Sequence, residues 1–405
     1  MPRPPRRAVT AVAAATAALT AGLVAAPGAT AGERAPAPVH EAAHALPGRY
    51  IVTLAKSVPS DRAAEQWRLP VRQTFRAVLN GFSADLTPRQ LSTVRRLPGV
   101  VAVEEVGVIS GPRSTTSRRH REATTSWGLD RIDQAQLPLD GSFTPGEDGE
   151  GATAYILDSG IDFDHVAFEG RATLGFDAFG GDGKDCYGHG TSVASLVGGA
   201  TYGVARKAKL VSVRVLNCEN RGTSEGLLSG YEWIAKNAVP AAVVNSSLSS
   251  PMFPTIDTAV NNLAKDHGIL TVAAAGNQGR SACTRSPARA SSVLAVGNST
   301  RSDVQSVTSN YGRCVSLYAP GHQVLAAAMG GGSATASGTS FAAPYVTGAV
   351  LLALDDDAES TPAALKQRII DDATQDVLTV SPGSPNRLLY LAPSLTPDDP
   401  EEDNG

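Results

Sequence analysis

The sequence predicts an α/β protein: a three-layer αβα domain on a mostly parallel sheet, preceded by a small α+β domain. Three observations carry this. Downstream of Trp127, short apolar runs alternate with amphipathic segments of helical period, the pattern of a parallel sheet covered on both faces. Upstream, residues 48–106 hold extended and helical signatures in β-α-β-α-β order, a unit so small that it is marginal alone and would benefit from a partner surface. The chain's 405 residues, 42% hydrophobic and 18% charged, suffice for two or three structural units with ample core.

Residues 1–31 read as an export signal, with Arg3, Arg6 and Arg7 ahead of an alanine-rich apolar run from Ala8 to Ala26. Ala29-Thr30-Ala31 then supplies the small-x-small cleavage pattern. No other run approaches a membrane span, so no membrane association is expected once the signal is removed. A Pro/Ala-rich spacer covers 32–47, and the small domain covers 48–110. In it, Gly48 to Leu54 reads as a strand, 61–78 as a helix, and 80–86 as a turn into a second strand. Thr87-Pro88 opens another helix as N-cap and first-turn proline. Val100 to Val106 closes as a third strand. Residues 111–125 are Ser/Thr/Arg-rich without apolar periodicity, an exposed linker open to cleavage.

The large domain is expected over 126–392, with an acidic tail at 393–405. Its strand-like runs are 152–157, 209–216, 241–245, 269–274 and 292–297. Its helix-like segments are 189–199, 224–238, 255–267, 340–354 and 361–373. Sheets of this kind place their sites at the carboxyl ends of strands.

The formal net charge of −4 conceals a split. Residues 1–125 carry a net +9 and residues 126–405 a net −13, so the two parts are electrostatically complementary. An acidic major part argues against nucleic-acid binding. The four cysteines form no CxxC pair, which excludes metal-finger readings, and no HExxH or EF-hand spacing points to a catalytic metal.

Three segments carry chemistry. In Tyr155-Ile-Leu-Asp158-Ser-Gly160, a carboxylate stands where a buried strand ends at a glycine turn. In Gly188-His189-Gly190-Thr191, a histidine opens a helix. In Ser337-Gly338-Thr339-Ser340-Phe341-Ala342-Ala343-Pro344, a serine begins a long apolar helix whose first turn tolerates proline. Serine is a weak nucleophile that needs a base, and the base needs a carboxylate to fix its tautomer. A serine at a helix N-terminus also turns its own N–H toward a developing oxyanion. Asp158, His189 and Ser340 thus supply orienting acid, base and nucleophile.

On these segments, with Trp127-Gly-Leu-Asp-Arg-Ile-Asp-Gln134 and Ala275-Gly276-Asn277, the chain resembles the subtilisin-like serine proteases, in particular the proteinase K and aqualysin group. The resemblance spans Trp127 to Tyr390, and residues 48–106 resemble the family's inhibitory propeptide, an intramolecular chaperone. It implies a secreted, self-processing serine endopeptidase acting through an acyl-enzyme, on the subtilisin-like fold, with no cofactor for catalysis. It implies that Asn277 donates its amide to the oxyanion, a contact whose loss costs about 3–4 kcal/mol. It also makes Ser247, Leu248 and Ser249 the segment that pairs with substrate backbone, and Ala274, Ala275 and Gly276 the opposite wall of the primary specificity pocket.

The sequence departs from the family pattern at Ser249-Ser250, where glycines are usual, and at Ser192, Ser195, Phe341, Ala343 and Tyr345. These departures bear on substrate preference and rate. The cysteine positions match the family pairing Cys186–Cys218 and Cys283–Cys314, each bridge worth roughly 3.5–4 kcal/mol. Asp130, Asp133, Gln134, Asp140 and Ser142 resemble a structural calcium site, and oxygen ligands from a short loop suit a hard cation. Asp177, Asp182 and Asp185 form a weaker second candidate. The expected partners are protein or peptide substrates and the chain's own propeptide, with the mature enzyme a monomer. The rival reading is a catalytically inactive peptide-binding or inhibitor module on the same scaffold. It would be marked by loss of a triad or oxyanion residue, and none is lost.

Overall fold

The computed structural model describes residues 1, 35–111, 117–118 and 126–392. The expected export signal, most of the linker and the acidic tail lie outside the described residues. From Pro36 onward the chain packs as one compact unit.

Its centre is a nine-stranded sheet. From one edge the order is Ala172–Asp177, Lys209–Arg214, Thr153–Asp158, Ala242–Ser246, Leu270–Ala274, Leu294–Ser299, Leu317–Pro320, Arg387–Leu388 and Thr374–Gln375. All pairings are parallel except that between the last two strands. Parallel strands buried on both faces read as continuous apolar runs, and Thr153–Asp158 is buried at every position. Thr153–Asp158, the first of these nine strands in chain order, pairs on one side with Lys209–Arg214 and on the other with Ala242–Ser246. The strand order therefore reverses at Thr153–Asp158, which opens a crevice at its carboxyl end.

The helices are α1 (Ser60–Gln66), α2 (Pro88–Val94), α3 (Trp127–Ile132), α4 (His189–Gly198), α5 (Ser224–Asn237), α6 (Pro254–His267), α7 (Thr339–Asp356) and α8 (Pro362–Asp372). Helix α7 is apolar all round and almost wholly buried, as a helix crossing beneath the sheet must be. Among the described residues, no helix is long and apolar enough to cross a membrane.

The small domain differs from expectation in one element. The helix expected over 61–78 stops at Gln66, and Val71–Phe75 is a strand, so the order is β-α-β-β-α-β. Pro70 is the cause. It cannot supply a helical N–H, and it pushes Leu69 toward extended backbone. The sheet also begins upstream of residue 48, because Val39–His40 and Ala45–Leu54 both pair with Val100–Ser110.

This small sheet lies on α5 and α6. Ile51, Phe75, Val106 and Ile109 share one buried cluster with Leu228, Tyr231, Phe253 and Ile256. Glu232 of α5 accepts the backbone N–H groups of Arg76, Ala77 and Val78 at 2.9–3.1 Å. Glu104 accepts from the backbone N–H of Thr255 at 3.1 Å and from its hydroxyl, in the first turn of α6. His267, at the end of α6, meets the carbonyl of Ala77 at 3.1 Å.

Candidate active site

The sheet's carboxyl edge gathers the expected residues. Asp158 ends its strand fully buried, and His189 opens α4 at 1% exposure. Asp158 Oδ1 stands 2.7 Å from His189 Nδ1 and also accepts the N–H of Ser159 at 2.7 Å. This contact assigns the proton to Nδ1 and leaves Nε2 as the basic nitrogen. Nε2 is buried and has no hydrogen-bond partner among the described residues. Burial opposes charge on His189, but the charge and hydrogen bond of Asp158, with the charge of Asp185, outweigh it and hold the imidazole above its ordinary value.

Ser340 lies in the first turn of α7, where N–H groups have no acceptor one turn back within the helix. Its carbonyl accepts the Ser247 hydroxyl at 2.8 Å. The ring of the next residue, Phe341, stands 5.3 Å from that of His189, which sets the imidazole beside the serine's turn. Gly338 precedes the helix at φ 142°, and a Cβ there would come within 3.0 Å of Asn277 Nδ2. Glycine is what lets the asparagine amide approach. Asn277 Oδ1 accepts the N–H and the hydroxyl of Thr339 at 2.8 and 2.9 Å. With the carbonyl end so anchored, the NH₂ end is left toward the cleft it borders with Ser340.

Of the expected substrate wall, Ser247 and Leu248 are buried and Ser249 alone lines the cleft. Ala274 ends the facing strand and Ala275 and Gly276 follow it, all three buried. The small domain enters the same cleft. Val100–Ser110 pairs antiparallel with Arg221–Thr223, and Val108, Ser110 and Gly111 line the space beside Ser340 and Asn277.

The structure joins Cys186 to Cys218 and Cys283 to Cys314. The first bridge ties the loop before His189 to the loop that precedes Arg221–Thr223. Ser192 and Ser195, departures from the family pattern, bind the backbone of Ala327, with Ser192 Oγ donating to its carbonyl at 2.7 Å and Ser195 Oγ accepting its N–H at 2.9 Å.

The candidate cation residues run from the end of α3 into the segment that follows it, and they are engaged with the chain itself. Asp130 accepts the N–H of Gly141, Asp133 that of Thr144, Gln134 that of Asp140, and Asp140 the N–H and hydroxyl of Ser142. Burial pushes Asp133 up to about 6, and the Ser142 hydroxyl bond holds Asp140 below its usual value. Among the described residues, no group of three or more His, Cys, Asp or Glu side chains is placed to hold a metal ion.

Asp185, of the weaker candidate cluster, is engaged with the chain itself. It accepts from the Ser159 hydroxyl, the N–H groups of Tyr187, Gly188 and Thr191, and the Thr191 hydroxyl, at 2.6–3.0 Å. It therefore braces the residues flanking both Asp158 and His189. Asp177 instead pairs with Arg214 at 3.0 Å. Sequence reasoning missed this brace, because Asp185 stands three residues before the N-cap Gly188, outside the position where a capping side chain is read.

Comparison with known proteins agrees with this geometry. The Subtilase family model matches residues 149–389, and the Peptidase inhibitor I9 model matches residues 49–106. The chain is 38% identical to the alkaline serine exoprotease A of Vibrio alginolyticus over 378 residues, covering 89% of this chain and 70% of that one. It is 37% identical to an extracellular serine proteinase of Thermus sp. (strain Rt41A) over 397 residues, covering 90% of this chain and 94% of that one. A solved cold adapted subtilisin-like serine proteinase superposes with a TM-score of 0.65 at 42% identity, covering 66% of this chain and 99% of that one. These likenesses make the protein a serine-type endopeptidase with an inhibitor domain at its front. The chain belongs to the subtilase family.

Proposed function

We propose that Ser340 is the nucleophile, His189 the general base and acid, Asp158 the orienting carboxylate, and Asn277 with the Ser340 N–H the oxyanion donors. The observation that carries this is the buried Asp158–His189 contact at 2.7 Å beside the first turn of α7. Ser340 Oγ attacks the scissile carbonyl while its proton passes to His189 Nε2. The oxyanion forms between the Asn277 amide and the Ser340 N–H. Collapse expels the amine, which takes the proton from His189, and water then cleaves the acyl-enzyme by the same path.

Residues 48–110 act as chaperone and inhibitor, and their last strand occupies the cleft until a cut within 111–125. The extracellular relatives and the signal-like residues 1–31 support secretion, and the mature enzyme, residues 126–392 with the acidic tail, acts as a monomer. Calcium held by Asp130, Asp133, Gln134, Asp140 and Ser142 would act structurally. The donors are all oxygen, and Asp133 Oδ1 is buried with no partner among the described residues. The rate of thermal inactivation with and without a chelator tests that site.

The catalytic assignment is tested by Ser340→Ala in the secreted full chain. The variant is expected to accumulate as uncleaved precursor and to take no fluorophosphonate adduct, while the parent matures and labels once, on Ser340. Normal maturation of the variant would overturn self-cleavage. An unlabelled parent of mature mass would favour the inactive-module reading.

A further inference from the structure

We propose that Arg285 gives this protease a preference for acidic side chains at P1, the residue whose carbonyl is attacked. The inference rests on the serine-protease reading above and names the substrate class of that same site.

Arg285 follows the short turn Ala282–Thr284, which the Cys283–Cys314 bridge anchors. Its guanidinium reaches across to the substrate wall, with Nε donating to Ser249 Oγ at 3.1 Å and Nη2 to the Ser249 carbonyl at 2.5 Å. These bonds hold the group in the cleft that Asn277, Thr339 and Ser340 also line. A guanidinium has five N–H donors, and only two are used. The rest have no acceptor among the described residues and are not sealed from solvent, and Arg285 is one of the residues that line the cleft. No carboxylate among the described residues lies within 4.0 Å of this arginine. Partial burial and the neighbouring charge of Arg280 both work against its own charge, which an incoming anion would relieve.

Ser249 adds a second donor. Its oxygen already accepts from Arg285, so its O–H proton is free to donate. The hydroxyl projects toward the facing wall, since a Cβ built on Gly276 would lie 2.5 Å from it. A P1 side chain entering the cleft beside Ser249 thus meets an N–H fork and an O–H, and no acidic residue is among those that line it. Such a pocket matches a carboxylate, disfavours an ammonium, and gains less from a neutral amide of the same shape.

The test uses the mature enzyme and four chromogenic peptides identical except for P1 Glu, Gln, Leu or Lys. The expected kcat/KM for Glu exceeds that for Gln by about ten- to a hundredfold, with Lys poorest. Arg285→Gln should bring the Glu to Gln ratio near unity, and Arg285→Lys should restore part of it. A parent ratio at or below one overturns the proposal. So does an Arg285→Gln enzyme that loses rate on all four peptides with the ratio unchanged, which would make Arg285 a mere clamp on Ser249. Should the variants fail to fold, the parent series decides alone. Fluorophosphonate labelling of the same parent sample separates the failures. A labelled enzyme without acid preference sinks this proposal only, whereas an unlabelled one sinks the protease reading on which it rests.

Discussion

At the scale of single residues, His189 stands between two carboxylates with different tasks. Asp158 touches the imidazole directly, while Asp185 gathers Ser159, Gly188 and Thr191 and so fixes the backbone around both members of the pair. Asp185 also contributes to the raised His189 value through its charge. Asp185→Asn replaces one acceptor oxygen by an NH₂ that faces backbone N–H groups, and it removes that charge. We expect kcat to fall about ten- to a hundredfold, because a buried acceptor network loses bonds it cannot replace. We also expect the acid limb of kcat/KM to move to lower pH, since a less favoured imidazolium loses its proton earlier. A lower kcat with an unmoved acid limb would reduce Asp185 to a structural brace. That Asp158 would touch His189 at the sheet edge where Ser340 and Asn277 line one cleft was legible, because each sits in a short motif at a strand or helix end. Asp185 and Arg285 were not. Their roles depend on contacts across the fold, such as Arg285 with Ser249, 36 positions away, which no local spacing encodes.

At the scale of elements, the parallel sheet and its helices followed from periodicity, and five expected strands and five expected helices recur within a few residues of their places. The misread helix at 61–78 shows where periodicity fails, because amphipathic spacing continued past a proline that ends the helix. The seam between the two domains was invisible in sequence. One of its contacts predicts a pH response. Glu104 caps α6 through Thr255 and is pushed up to about 7, chiefly by burial, with Asp257 adding a smaller push and the Thr255 bonds opposing. Released into water, the carboxyl returns to an ordinary carboxylate value. The complex therefore favours the protonated form, and the stability this lends is full below the free value and lost as pH rises through about 7. The autoprocessed complex should release its propeptide faster at pH 9 than at pH 6, by about tenfold, the factor set by one pH unit between 6 and a value near 7. The rate at which peptidase activity emerges reads this directly. Glu104→Gln, neutral throughout, should flatten that pH dependence, and an unchanged slope would assign it to other groups.

At the scale of the whole molecule, the charge split of the sequence takes physical form at the seam. Arg49 and Arg72 of the small domain stand 3.5 and 3.7 Å from Glu225 of α5. Once the small domain leaves, the catalytic domain relies on its own long-range ties. Arg131, fully buried, pairs with Asp303 at 2.8 Å, and the Leu391 N–H reaches the Ile132 carbonyl, so α3 is bound to distant parts of the chain. Helix α3 carries Asp130, and the segment that follows it carries Asp133 and Asp140; their charges repel one another, and Asp133 Oδ1 has no partner among the described residues. A calcium ion there would bind the native state alone and stabilise it by mass action, about 2.7 kcal/mol at a hundred times its dissociation constant. A secreted protease is lost to its own activity whenever it opens, so this stability is read as a lifetime. A chelator should shorten the half-life of the mature enzyme at elevated temperature by roughly ten- to a hundredfold, and added calcium should restore it. Asp133→Asn should be short-lived with or without calcium. If the chelator leaves the parent's half-life unchanged, the loop holds no stabilising cation. If Asp133→Asn still responds to calcium as the parent does, the ion binds elsewhere.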